Sequence, residues 1–153
     1  MGIRICWWGN GGDTDRNAGA VYLVPGAATI TSLILNSTKI KYTGEAANDY
    51  GGSSVDSIGE MNGDGYLDFV VRAPQNDDGI ASGGAAYVVL GSATPTNGSL
   101  GTQIQYAAAV SLHGAGQEVT GAGDFNGGGY DDVMISASGR GRCLSGVRIG
   151  DTR

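Results

Sequence analysis

Residues 59–74 read GEMNGDGYLDFVVRAP, and the reading of this stretch decides the fold class. Oxygen-bearing side chains fall at Glu60, Asn62, Asp64 and Asp68, with glycine at Gly63 and Gly65 and a backbone carbonyl at Tyr66. A hard cation such as Ca²⁺ takes about six to eight oxygens, and a tight loop that presents them needs glycine where the chain folds over the ion. Counted from Glu60, positions one, three, five and nine supply side chains and position seven a carbonyl. Three carboxylates so close together repel unless a cation sits among them. The competing reading takes Asn62-Gly63 and Asp64-Gly65 as plain hairpin turns, although a turn requires neither Glu60 nor Asp68. An EF-hand needs an acid at position twelve and flanking helices. Position twelve here is Val71, inside the apolar run FVVRAP, so the loop feeds a strand; the same mismatch argues against a dockerin-type module.

Working outward, the stretch recurs. GDFNGGGYDDVMISAS begins 64 residues later at Gly123, and GAVYLVPG at Gly19 returns as GAAYVVLG 65 residues later at Gly84. Two independent motifs sharing nearly one period mark an internal repeat. In this register the chain divides into a partial unit over 1–49, a full unit over 50–114 and a partial unit over 115–153. The first unit predicts strands around residues 20–24 and near Ile40 and Tyr42, which alternate with Lys39 and Lys41. The full unit predicts strands at about 53–57, 69–72, 85–90 and 103–106. The last begins near Glu118, carries the second loop, and has a strand at 133–136.

Four strands per unit with no helical period between them is the pattern of a β-propeller blade. The expectation is therefore all-β: a partial β-propeller of about two to two and a half four-stranded antiparallel blades with calcium-loop hairpins. The runs FVV, AAYVVL and VMI suit strands covered on both faces. The small residues Gly83, Gly84, Ala85 and Ala86 either let adjacent blades approach closely or form an ordinary turn before a strand.

Composition supports many short strands. Glycine numbers 29 of 153 residues, proline 3, and apolar residues make up 41% without a collagen period. The net charge of −6 and the absence of a basic cluster argue against nucleic acid and anionic membrane surfaces. No apolar stretch approaches membrane-span length, so membrane insertion is not expected, and residues 1–8 are too short for a signal-peptide core. Cys6 and Cys143 read as two free thiols or a single disulfide, and the one histidine, His113, lacks a ligand constellation.

These residues resemble the FG-GAP repeat of the integrin alpha-chain N-terminal β-propeller and its bacterial relatives. That family pairs an aromatic-Gly dipeptide, a DxNxDGxxD calcium loop and a Gly-Ala-Pro. Tyr50-Gly51, residues 60–68 and Arg72-Ala73-Pro74 stand in those places, and the resemblance covers most of residues 19–137. It implies Ca²⁺ held by Glu60, Asn62, Asp64, Tyr66 and Asp68. The second loop offers Asp124, Asn126, Tyr130 and Asp132, but Gly128 stands where Asp64 stands in the first, so that loop is either a weaker calcium site or a glycine turn. Glu60 replaces the family's Asp, Arg72 and Ser136 its Gly, and Ser138 its Pro. The third unit lacks the aromatic-Gly. Residues 3–9 and 139–153 fit least well, as a fragment, a diverged gene or a shifted frame would leave them, and Trp7 and Trp8 read as packing at a blade edge.

The resemblance further implies a non-catalytic, extracellular or cell-surface adhesion module with protein or glycan ligands. The alternative is an accessory repeat of a larger secreted hydrolase. No GxSxG elbow, P-loop or HExxH appears, nor an Arg-Gly-Asp tripeptide. Asn36 and Asn97 begin glycosylation triplets. Little more than two units would expose apolar faces and sheet edges, which predicts self-association or completion by further blades.

Overall fold

The computed structural model describes residues 2–5, 16–26, 40–78, 81, 83–107 and 113–139. Cys6, Trp7, Trp8, Asn36, Cys143 and most of residues 139–153 lie outside them, as does the side chain of His113. The described residues are all-β, with one 3-10 turn at Leu100–Thr102 and no α-helix. None of their elements is a helix long and apolar enough to cross a membrane. In chain order the strands are β1 (Gly2–Ile5), β2 (Ala20–Val24), β3 (Ile40–Thr43), β4 (Ser54–Gly59), β5 (Asp68–Ala73), β6 (Ala85–Val89), β7 (Gly98–Ser99), β8 (Ile104–Ala107), β9 (His113–Gly123) and β10 (Asp132–Gly139). The strands predicted from the repeat register correspond to β2, β3, β4, β5, β6, β8 and β10. The start of the last unit differs: β9 begins at His113, ahead of Glu118.

Three sheets result. Strands β4, β5, β6 and β8 pair antiparallel in that order, β9 and β10 form a hairpin, and β1, β2 and β3 form an antiparallel sheet to which β7 adds. The β7 pairing is parallel, with Gly98 opposite Tyr42 and Ser99 opposite Thr43. It departs from the antiparallel expectation, and its cause is local. Asn97 Oδ1 accepts a hydrogen bond from Lys41 N at 2.9 Å, which draws this short segment of the full unit onto the first sheet.

The β4-β5-β6-β8 sheet is the middle of three layers. Along β5 and β6, alternate side chains point to opposite faces. Phe69, Val71 and Ala73 of β5, with Ala85, Tyr87 and Val89 of β6, pack against Val21 and Tyr42 of the first sheet and against Leu100. Tyr42 meets Phe69 edge to face, with ring centroids 5.7 Å apart. On the other face Ile58, Val70, Ala86 and Val88 meet Val119 of β9, with Val133 and Ile135 of β10 partly buried beside them. The unbroken runs FVV and AAYVV follow from burial on both faces, each large apolar side chain contributing about 1.5–3 kcal/mol. Ala85 and Ala86 face opposite layers, and both are fully buried. Small residues here bring the neighbouring layers close.

The two loop hairpins share one irregularity. Asp68 lies opposite Gly59 but Phe69 opposite Ser57, which leaves Ile58 as a bulge. Asp132 lies opposite Gly123 and Val133 opposite Gly121, which leaves Ala122 in the equivalent place. Such bulges bend a strand and sharpen its twist, and here each turns the chain into an acidic loop.

Candidate metal loops

The first loop joins β4 to β5. Its outer carboxylates organise the loop's own backbone. Glu60 Oε1 accepts from Gly65 N, and the buried Asp68 accepts from Met61 N at 2.9 Å through one oxygen and from Gly91 N at 2.7 Å through the other. Asp68 is only 1% exposed, so its charge rests on these amides and on the end of β6. Between them Asn62 Oδ1 accepts from Asp64 N at 3.1 Å, Asn62 Nδ2 donates to Asp64 Oδ2 at 2.9 Å, and Asp64 Oδ1 accepts from Tyr66 N at 2.9 Å. Asn62 and Asp64 are exposed, and Tyr66 projects into solvent.

The second loop repeats the outer pattern. Asp124 accepts from Gly128 N and Gly129 N, both at 2.8 Å, and Asp132 Oδ2 accepts from Phe125 N at 2.9 Å. The first acid of each loop therefore binds the amide five residues on, and the last acid binds the amide next to the first. The centre differs because Gly128 has no carboxylate. Asn126 Nδ2 turns instead to Asp132, at 3.1 and 3.0 Å from its two oxygens. Tyr130 is half-exposed.

The structure thus places all nine sequence-predicted residues on two equivalent loops. The donors of the first are oxygen atoms throughout, three of them carboxylates, which is the chemistry a hard cation requires. Among the described residues no three His, Cys, Asp or Glu side chains converge into a metal-ligand group. In the first loop the physical reason is visible: two of the three carboxylates are turned onto backbone amides rather than towards a common centre.

Residues 51–89 match the family model for the FG-GAP repeat. The chain carries an FG-GAP repeat. The matched span takes in β4, the first loop, β5 and β6, that is, three strands of the middle sheet. At Arg72, where the sequence departs from the family's Gly, the side-chain Nε is buried without a hydrogen-bond partner.

The two loops also touch. Asp131, which the sequence reading did not single out, accepts from Glu60 N at 2.8 Å through Oδ2, and its own amide donates to Glu60 O at 2.9 Å. Thr120 Oγ1 of β9 donates to Asp56 Oδ2 of β4 at 2.8 Å.

A second polar cluster lies at the other flank of the FG-GAP repeat and was equally missed. The hydroxyl of Tyr87 donates to Glu45 Oε2 at 2.6 Å, and Asn76 Nδ2 lies 2.9 Å from that hydroxyl, 3.3 Å from Asp49 Oδ2 and 3.2 Å from Asp78 Oδ2. Gln105 Nε2 donates to Asp78 Oδ2 at 2.8 Å. Three carboxylates here share neutral donors. Burial pushes the carboxyls of Glu45 and Asp49 above their ordinary values, with Asp78 adding to both. Hydrogen bonds from Gln105 and Asn76 hold Asp78 below its own. Burial, then the bond to Glu45, raises the Tyr87 phenol.

Proposed function

We propose that the chain is a non-catalytic, calcium-stabilised repeat module of β-propeller type that works outside the cell by binding a protein or glycan partner. The observation that carries this reading is the first loop. Within an FG-GAP repeat it carries Glu60, Asn62, Asp64, the Tyr66 carbonyl and Asp68 over nine positions, on a scaffold that the second loop reproduces without the central carboxylate. Bound calcium would neutralise the three carboxylates and stiffen the β4–β5 connection. Glu60, Asn62 and Asp64 would hold it from the exposed side and Asp68 from the buried side.

Extracellular calcium modules bind at about 10⁻⁴ to 10⁻³ M. At a free concentration ten times Kd, one site stabilises the fold by about 1.4 kcal/mol. That is a useful increment for a repeat, well below what its two apolar layers contribute. Carboxylates committed to a cation stay ionised, which suits a structural role better than proton transfer. Exposed Phe125, Tyr130 and Met134 on the β9–β10 hairpin support completion by further repeats or by self-association.

The test is calcium titration of chelator-stripped protein by calorimetry, with Asp64→Ala as the paired control. Binding of one ion that is lost in the variant supports the reading. Absence of heat, with no calcium-dependent change in melting temperature, reduces the loop to a turn.

A further inference from the structure

The pair between Asp131 and Glu60 joins two different repeats. Asp131 belongs to the second loop, and it grips the backbone of the first residue of the first loop on both sides: Oδ2 receives Glu60 N and the Asp131 amide reaches Glu60 O. Gly59, just before, has φ +76, and a Cβ built there would lie 1.9 Å from Asp131 Oδ2. Any side chain at 59 would expel the aspartate. Tyr130 adds a second contact, since a Cβ at Gly63 would lie 2.9 Å from its ring. Between the loops is a cleft of about 420 Å³ lined by Glu60, Gly65, Asp124, Tyr130 and Asp131.

The position is not one that the repeat needs for itself. Sixty-four residues earlier the full unit has Leu67, which is 61% exposed and forms no equivalent grip within its own loop. At this position, then, the side chain addresses the neighbouring repeat's loop.

We infer that Asp131 is a positioning residue for the cation of the first loop, supplied in trans by the next repeat, so that metal binding and the docking of the two repeats are coupled. The inference rests on the calcium reading above. By fixing the backbone of Glu60, Asp131 sets the point from which that carboxylate swings away from Gly65 N towards the ion. Residues that hold metal ligands in place typically change affinity by about ten- to a hundredfold when removed. Because the coupling is reciprocal, calcium in the first loop tightens the contact with the second.

The experiment is calcium titration by calorimetry on the full chain and on Asp131→Ala, Asp131→Asn, Tyr130→Ala and Asp64→Ala, with circular dichroism as a check of folding. Asparagine retains an acceptor for Glu60 N. Support is a loss of about tenfold in affinity for Asp131→Ala at unchanged stoichiometry, near wild-type affinity for Asp131→Asn, and weaker binding for Tyr130→Ala. Wild-type affinity in Asp131→Ala overturns the inference alone, as does equal weakening in Asp131→Asn, which would assign the effect to charge. Should Asp131→Ala fail to fold, unchanged affinity in Tyr130→Ala overturns it. A wild-type chain that binds no calcium removes the calcium reading and this inference with it.

Discussion

Tyr87 and Glu45 stand 42 residues apart in the chain, and the phenol hydroxyl of one lies 2.6 Å from Oε2 of the other. This bond ties the connection between β3 and β4 to the middle of β6. It therefore links the first sheet to the FG-GAP repeat through a polar contact that lies beside the apolar layer of Val21, Tyr42 and Phe69.

Removing the hydroxyl leaves Glu45 and Asn76 each without one partner in a site where Asn76 is only 1% exposed. Tyr87→Phe is expected to cost about 1–3 kcal/mol, the usual penalty for orphaning a buried polar group. In urea denaturation the midpoint should fall while the slope stays unchanged.

The same cluster sets a pH dependence. Glu45 and Asp49 have raised carboxyl values in the fold, so their contribution is complete below their unfolded values and is lost as pH rises through the folded ones. Asp78 is lowered, so its contribution is present above its unfolded value and is lost as pH falls through the folded one. This junction is expected to be most stable in the window between the lowered Asp78 and the raised Glu45. The melting temperature of calcium-free protein should rise as pH is lowered from neutral to that window. Glu45→Gln should flatten the rise, and an unchanged profile in that variant would count against the assignment.

The two kinds of carboxylate in the first loop should separate by experiment. Asp68 is buried and receives two backbone amides, so Asp68→Ala is expected to destabilise even the calcium-free protein by about 2–4 kcal/mol. Asp64 is exposed and bonded only within the loop. Asp64→Ala should leave calcium-free stability nearly unchanged and abolish the stabilisation by calcium. Thermal melts with chelator and with millimolar calcium measure both effects.

Arg72 buries Nε without a partner. Exchange for an apolar side chain of similar length removes that unmet donor, so Arg72→Met is predicted to stabilise the fold by about 1 kcal/mol. Denaturant titration reads the sign directly.

The strands were legible because a period of two and a period near 64 residues both run through the sequence. The FVV and AAYVV runs marked the middle sheet, and the recurrence of the acidic loop placed β9 and β10 by analogy with β4 and β5. The nine loop residues were legible for the same reason, since their spacing lies within a few neighbouring positions. What escaped was every contact between units. Asp131 differs from its repeat counterpart Leu67, so the register gave no cue to it. Glu45, Asn76, Tyr87 and Gln105 are scattered over 60 positions and meet only when separate sheets pack together. The pairing of β7 with β3 depends on two residues that carry no strand pattern of their own.

That last pairing changes what counts as a piece of this protein. Gly98 and Ser99 belong by sequence to the full repeat, yet they form the edge strand of the sheet before it. The copy that gene duplication multiplies and the body that the folded chain assembles are therefore out of phase. An excision along the period would take from the preceding sheet a strand that it borrows, and a transplanted repeat would arrive with a loose strap seeking a host.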